Sequence, residues 1–252
     1  STVGLSTSRL QNEDNYGILQ PSASNEKPLI LAIVADGMGG MAKGEVASKT
    51  AVETILSASI PSDLDKPEKC NQWLTSLVSE ANKAVCEKVR KGGTTLSMVG
   101  AIANKLYVAH VGDSRIYLLR KGIICQISED HSVVAMLLTT GQITYQESLN
   151  HPDRSMLTKS LGSNPIFPHN YVQSLSRFGG ESFLNLEHGD IILICSDGVW
   201  DLVNAKELAE NFINQDNLHS AVTQTIEQVI DKGAHDNATL VVIKCHLEDN
   251  SF

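Results

Sequence analysis

The chain has no long apolar run, no excess of positive charge and no signal sequence. None of its hydrophobic segments approaches the roughly 20 residues that a membrane-spanning helix needs, and its amino terminus lacks a charged-then-apolar pattern. Its 20 lysines and arginines are outnumbered by 29 aspartates and glutamates, and the net charge of -9 disfavours nonspecific binding to nucleic acid. We therefore expect a cytoplasmic protein that acts without nucleic acid or a membrane.

Sequence signatures of several enzyme classes are also missing. The 5 cysteines have no Cys-x-x-Cys spacing, which is typical of reduced, buried thiols rather than of disulfides. The 8 histidines show no His-Glu-x-x-His spacing, so a zinc hydrolase fits poorly. Neither a Gly-x-Ser-x-Gly elbow nor a glycine loop followed by Lys-Ser/Thr is present. These absences disfavour a serine hydrolase and a nucleotide-binding P-loop.

Hydrophobic periodicity predicts a single α+β domain over residues 1–252. No linker rich in proline, glycine or serine divides the chain. Helical patterns end near residue 58, run from Leu74 to Val85, and span 216–232 before Gly233. Strand-like runs between them indicate two packed sheets flanked by helices.

Two local segments carry more specific expectations. The stretch 94–120 has the pattern of a β-meander, which would place Asp113 at a hairpin tip. Residues 138–170 are polar and contain Gly141 and Pro152, so we expect a mobile loop or flap there. The glycines that follow Asp36 are predicted to form a tight turn before a helix.

Four aspartates adjoin the ends of four apolar, strand-like runs. The runs cover 29–35, 106–111, 191–195 and 240–243, and the adjoining residues are Asp36, Asp113, Asp197 and Asp236. Strands of one sheet that end together would gather these carboxylates. Clustered carboxylates repel one another and are costly to desolvate, so the set predicts a cation, and all-oxygen ligands favour Mg²⁺ or Mn²⁺.

Asp-Gly is first of all a turn dipeptide, and each one alone is structural in roughly nine cases of ten. The metal hypothesis depends on the whole set of acids placed in or beside turns. Its other members are Glu13, Asp14 and Asp201. The backbone carbonyl of Gly37 is a further candidate ligand, since glycine allows close approach.

Ordered motifs along the chain resemble the metal-dependent protein phosphatases of type 2C, and the bacterial-type members most. The motifs are Arg9-x-x-Asn12-Glu13-Asp14, Ala35-Asp-Gly-Met-Gly-Gly40, Gly44-Glu-Val-Ala-Ser48, Gly93-Thr-Thr-Leu96, His110-Val-Gly-Asp-Ser-Arg115, Asp130-His-Ser132, Gly141-x-Ile-Thr144, His151-Pro-x-Arg154, Cys195-Ser-Asp-Gly198 and Asp236-Asn237. They run from about residue 4 to residue 244. This resemblance implies a four-layer αββα sandwich that hydrolyses phosphoserine and phosphothreonine in phosphorylated proteins, as a monomer.

The resemblance also implies roles for individual residues. Two core Mg²⁺ or Mn²⁺ ions would share Asp36, and a third, weaker ion would bind nearby. Asp197 and Asp236 would complete one core site, Glu13 and the Gly37 carbonyl the other, and Asp113, Asp197 and Asp201 the third. Asp14 and Asn237 would contact the ligands rather than the ions, and Arg9 would bind the substrate phosphate.

In the implied mechanism, a water between the two ions attacks phosphorus without a phosphoenzyme. The bacterial-type pattern has histidine where this chain has Met41, which cannot donate a proton to the leaving group. His131 and His151 are candidates for that role from their positions in the sequence alone.

Two alternatives remain open from the sequence. One is a binding module with this fold that recognises phosphoproteins without hydrolysing them. The other is a different two-metal hydrolase, such as a phosphodiesterase, because metals and phosphate alone do not define the ester. The intact acid set and the acidic surface favour an active protein phosphatase.

Overall fold

The fold consists of two antiparallel sheets and flanking helices. A computed structural model describes residues 11–21, 28–39, 43–64, 66–175, 181–213 and 217–247. The strands are β1 (Asp14–Leu19), β2 (Leu29–Met38), β3 (Gly93–Thr94), β4 (Leu96–Ile102), β5 (Lys105–Val111), β6 (Arg115–Arg120), β7 (Ile123–Gln126), β8 (Leu184–Asn185), β9 (Ile191–Cys195) and β10 (Leu240–Lys244). The helices are α1 (Lys43–Leu56), α2 (Pro67–Lys88), α3 (Val133–Thr139), α4 (Tyr145–Ser148), α5 (Asp197–Trp200), α6 (Ala205–Phe212) and α7 (Leu218–Asp231).

The strands pair in two separate sheets. The first has the order β1-β2-β4-β5-β8, with β3 paired to β2, and the second has the order β10-β9-β6-β7. All of these pairings are antiparallel. The predicted α+β sandwich is therefore confirmed.

Three buried apolar clusters separate four layers. Because side chains alternate along a strand, Leu31 and Ile33 of β2 face α1 and α2, whereas Ala32 and Val34 face the second sheet. A third cluster lies between the second sheet and helices α6 and α7. Burying a large apolar side chain in these layers contributes roughly 1.5–3 kcal/mol. The layer order helices, sheet, sheet, helices is the predicted αββα arrangement.

Two predictions of strand topology are wrong. The segment 94–120 is not a meander, because β4 and β5 belong to the first sheet while β6 belongs to the second. Asp113 therefore lies in the connection between the sheets and not at a hairpin tip. The four acid-bearing strands also do not share one sheet, since β2 and β5 lie in the first and β9 and β10 in the second. The carboxylates meet because the strands of both sheets end at the same end of the sandwich.

The local structure around two Asp-Gly pairs also differs from expectation. β2 continues past Asp36 through Gly37 and Met38, which pair with β3, so no tight turn begins at Gly37. Asp197 is the first residue of the short helix α5, and the helix α6 that follows was not predicted. α6 spans only 8 residues, too few for a clear helical period, although Asn204 caps it in a capping box.

The predicted flap contains the end of α3 and the helix α4, and it is tied to the sandwich. The N–H of Thr158 donates to the carbonyl of His131, and Leu161 exchanges backbone hydrogen bonds with Thr94. In the described residues no helix is long and apolar enough to cross a bilayer. None of the five cysteines forms a disulfide, but Cys125 is exposed, which contradicts the expectation of buried thiols at that position.

Candidate metal centre

The apolar layer between the two sheets becomes polar at one end. Asp36 follows Ala32 and Val34 on the face of β2 that points between the sheets. Asp14 is its direct register partner on β1. Ser97 and His110 continue the same face of β4 and β5, and they too are register partners. Strand alternation thus directs a set of polar side chains into the end of the sandwich.

The carboxyl groups of Asp36 and Asp197 lie close together although they come from different sheets. Their two charged groups lie close enough to repel each other. Burial, and then the charge of Asp14, raises the pKa of Asp36 well above its usual value. Burial, and then the charges of Asp113 and Asp236, does the same to the pKa of Asp197. Both residues line the end of the sandwich and keep some exposed surface, yet the protein atoms around their carboxyl groups desolvate them.

The donor set fits a hard divalent cation. The Oδ1 atom of Asp197 is buried and makes no hydrogen bond to the described residues. A methyl group placed on Gly44 would lie 2.8 Å from both the Glu13 carboxyl carbon and the Gly37 carbonyl oxygen. Only glycine therefore leaves room beside these two oxygen donors. All the candidate ligand atoms are oxygen, the ligand type that Mg²⁺ and Mn²⁺ prefer.

The candidate ligands are not fully gathered. Among the described residues, no group of three or more His, Cys, Asp or Glu side chains has an arrangement that could hold a metal ion as it stands. Some of the acids make other interactions. Asp201, for example, forms an ion pair with Arg154 of the flap, and the Nε2 of His235 lies 3.5 Å from its carboxylate. Binding of an ion therefore needs side-chain movement.

Hydroxyl groups hold the backbone of Asp36 in place. The N–H of Asp36 donates to the Thr95 hydroxyl at 2.9 Å, and the Thr94 hydroxyl donates to the Asp36 carbonyl at 2.9 Å. The Thr95 hydroxyl also shares a hydrogen bond of 2.8 Å with that of Ser114, the residue after Asp113. This series of hydrogen bonds links the backbone of Asp36 to the connection that carries Asp113.

The segment before β1 is bonded to the second sheet. The N–H of Glu13 donates to the side-chain oxygen of Asn237 at 3.0 Å. The hydroxyl of Ser196 donates to Asp14 at 2.7 Å and accepts from the N–H of Thr239 at 3.0 Å. These bonds fix Glu13 and Asp14 relative to Asp197 and Asp236. Asn237 and Asp14 therefore lie beside candidate ligands, and their supporting role stays a prediction.

A partly buried arginine supports the Asp113 connection from the second sheet. The guanidinium of Arg115 binds Asp130 at 2.7 Å and stacks on Trp200, with 3.6 Å between its carbon and the ring centre. The indole N–H of Trp200 donates to the Asp113 carbonyl at 3.0 Å. Burial, and then the charge of Asp130, raises the pKa of Asp113 to about 7.

Two stacked histidines lie behind this connection. The rings of His110 and His131 are 5.0 Å apart, and the Nδ1 of His131 accepts from the Gly112 N–H at 3.1 Å. Burial lowers the pKa of His110 to about 4, so its ring is neutral at pH 7. Its Nε2 lies 3.0 Å from the Glu129 carbonyl and therefore carries the proton.

The suggested proton donors remain predictions. His131 is only 6% exposed, and its Nδ1 is occupied as an acceptor. The Nδ1 of His151 accepts from the N–H of Asp153 within its own turn. Arg9 and Met41 lie outside the described residues.

Several supporting residues received no role from the sequence, although some of them lie within the quoted motifs. They are Thr95, Ser97, Ser114, Ser196, Arg115 and Trp200. Of the hydroxyl residues, Ser97 lies in β4, whereas Thr95, Ser114 and Ser196 lie next to strand ends, and they have no common spacing. A detectable signal was the polar residue at an interior position of an otherwise apolar strand, as with Ser97 in β4 and His110 in β5.

Comparisons with known proteins give a consistent result. The family model described as protein phosphatase 2C matches residues 6–240. The serine/threonine phosphatase Stp of Listeria innocua is 32% identical over 247 residues, covering 95% of this chain and 92% of the relative. The serine/threonine phosphatase of Streptococcus agalactiae is 28% identical, with a TM-score of 0.81 and 96% of each chain covered.

A further solved structure contains metal. It is the catalytic domain of the serine/threonine protein phosphatase PstP in complex with 2 manganese ions, 28% identical, with a TM-score of 0.73 and coverage of 96% of this chain and 94% of that one. Given the family match over most of its length, the chain belongs to the protein phosphatase 2C family of serine/threonine phosphatases.

Proposed function

We propose that this chain is a metal-dependent protein phosphatase that hydrolyses phosphoserine and phosphothreonine monoesters, and that residues 1–252 form one catalytic domain. The observation that carries the proposal is the contact between Asp36 and Asp197. Their carboxyl groups lie close together although they come from two sheets, and each has a raised pKa. A divalent cation would stabilise both as carboxylates.

The proposed ligand sets follow the position of each acid. Asp36, at the end of β2, would bind both core ions. Asp197 and Asp236 would complete one site, and Glu13 with the Gly37 carbonyl would complete the other. Asp113, Asp197 and Asp201 would form a third, weaker site, for which Asp201 must leave its ion pair with Arg154. The manganese complex of the structural relative supports two core ions of Mg²⁺ or Mn²⁺.

When bound, the divalent ions would supply an activated water at neutral pH and neutralise charge on the phosphoryl group. The chain's own residues would hold the ligands in position. Thr95 and Thr94 fix the backbone of Asp36, and Ser196 orients Asp14 through its hydroxyl proton. Arg9 is proposed to bind the phosphate of the substrate through its planar guanidinium.

The proposed partners are phosphorylated proteins. The acidic charge of the chain disfavours nucleic acid. The lack of disulfides among the five cysteines agrees with a reducing compartment, and we propose the cytoplasm, with a role in bacterial signalling and a monomeric state.

Phosphate release from a phosphothreonine peptide tests this proposal. We expect turnover that depends on added Mn²⁺ or Mg²⁺, stops with EDTA and is lost in Asp36→Asn and Asp197→Asn. A matched control is Asp231→Asn, an exposed acid at the end of α7. Folded parent protein that binds manganese but never releases phosphate would instead indicate a binding module.

A further inference from the structure

A cluster of positive charge lies beside the metal centre of this otherwise acidic chain. The cluster, called the basic patch below, consists of Lys43, Lys88, Arg90 and Lys91, all exposed. None of the four forms an ion pair with another described residue. The sign of this patch is opposite to the net charge of the chain, which is -9.

Close backbone contacts bring two parts of the basic patch together. A methyl group placed on Gly39 would lie 3.0 Å from the Gly92 Cα and 3.7 Å from the Lys43 Cβ. One placed on Gly92 would lie 3.1 Å from that same Lys43 Cβ. Lys43 therefore packs next to the residue that follows Lys91, although the two lysines are far apart in sequence.

Local structure disfavours a lysine at both positions. Lys43 is the first residue of α1, where the helix dipole repels a positive charge. Lys91 has a φ of 62°, in the left-handed region that glycine adopts without strain. Neither residue is explained by the stability of its own segment, and this points to a role for the charges themselves.

The basic patch is within reach of a substrate bound at the metal centre. Gly39 lies three residues beyond Asp36, and β2 is extended up to Met38. The distance from Asp36 to Gly39 along the chain is therefore about 10 Å. A bound extended peptide also rises about 3.3 Å per residue. A side chain two to four positions from the phosphorylated residue would therefore meet the lysines.

We propose that the basic patch binds acidic side chains of the protein substrate, so that the enzyme prefers phosphorylated residues flanked by glutamate or aspartate. This inference rests on the phosphatase function proposed above. Lys43 and Lys91 determine the preference, and neither takes part in the chemical step. Lys88 and Arg90 add to the positive potential around them.

Two sets of phosphothreonine peptides test the inference, identical except for glutamate or glutamine two to four positions on either side. We expect the parent to have a kcat/KM about threefold to tenfold higher for the glutamate peptides. The difference should lie in KM, and it should be modest because exposed charge pairs are individually weak. The preference should shrink as salt is added. In the double variant Lys43→Gln/Lys91→Gln the preference should disappear while glutamine peptides are still hydrolysed.

Two further variants separate charge recognition from structure. Lys66→Gln removes an exposed lysine at the other end of α2, about 30 Å away, and should leave the preference intact. Lys91→Gly relieves the backbone strain and should raise the melting temperature by about 2–4 °C while weakening the preference. A parent without preference, a double variant that keeps it, or equal loss in Lys66→Gln would overturn the inference.

A binding measurement distinguishes failure of this inference from failure of the proposed function. Fluorescence anisotropy of labelled peptides with chelator-treated protein measures binding without turnover. We expect tighter binding of the glutamate peptide, and the difference should be lost in the double variant. If this holds but no peptide is ever hydrolysed, the phosphatase proposal fails and charge recognition stands. If hydrolysis occurs with equal binding of both peptides, the inference fails alone.

Discussion

The hydroxyl of Thr95 accepts the backbone N–H of Asp36 at 2.9 Å, while the N–H of Thr95 donates back to the Asp36 carbonyl at 2.8 Å. This reciprocal pair fixes the residue proposed to bind both core ions. Because the Thr95 hydroxyl also bonds Ser114, it aligns Asp36 with the connection that carries Asp113.

Replacing Thr95 with valine keeps the shape of the side chain but removes this acceptor. The Asp36 N–H would lose its partner in a buried site, so we expect the free energy of unfolding to fall by about 1–3 kcal/mol and manganese affinity to weaken. Chemical denaturation and calorimetric titration measure the two effects. Thr95→Ser retains the hydroxyl and serves as the control. Unchanged manganese affinity in Thr95→Val would show that the bond does not position Asp36.

Added metal should stabilise the parent more than it stabilises Asp36→Asn. With manganese at about 100 times its dissociation constant, the parent should gain about 2.7 kcal/mol. Asp36→Asn should gain much less. In EDTA the variant should be at least as stable as the parent, because one of two repelling carboxyl groups is gone. Thermal denaturation with and without manganese gives the comparison. A parent whose melting temperature does not change when manganese is added would contradict the prediction.

Acidification should destabilise the protein through His110. Its pKa is lowered from about 6.5 to about 4, so the unfolded chain binds the proton more readily than the folded one. The stabilisation is complete above pH 6.5 and is lost as the pH falls towards 4, by up to about 3 kcal/mol. We expect the parent to lose stability relative to His110→Asn over this interval. If the stability of the two proteins falls in parallel over this pH interval, His110 is not the cause of the loss.

Removing Arg154 should loosen the flap. Its guanidinium pairs with Asp201 at the end of α5, and its side chain is 39% exposed, so the pair contributes less than about 1 kcal/mol to global stability. In Arg154→Ala we expect amide hydrogen exchange in residues 145–157 to become severalfold faster. Arg154→Lys keeps the charge and should exchange at an intermediate rate. Identical exchange in all three proteins would show that other contacts hold the flap.

The strands that lead to the acids were predictable because their apolar patterns are strong. The run predicted for 191–195 coincides with β9, and that for 106–111 lies within β5. The sheet to which each strand belongs was not predictable. Residues 112–114 have the length and composition of a hairpin turn, yet the chain crosses there to the other sheet. That choice depends on long-range contacts such as the one between Trp200 and Asp113.

Within the site, the acids were easier to identify than the residues that support them. Asp36 and Asp197 adjoin glycine in recognisable motifs. Thr95, Ser114 and Ser196 are ordinary residues whose role depends on partners from other strands. Their hydrogen bonds exist only in the assembled sandwich, so the motifs that contain these residues do not reveal which partners they bind.

Asp36 belongs to one sheet and Asp197 to the other, and this division has a consequence for folding. A chain in which only the first sheet has formed contains the ligands proposed for one core ion, Asp36, Glu13 and the Gly37 carbonyl, but lacks Asp197 and Asp236 for the other. The second ion would then bind late, after the inter-sheet layer has closed, and it would slow the separation of the sheets more than it speeds their docking. Recovery of the second manganese ion during refolding would therefore report when the two sheets have packed together.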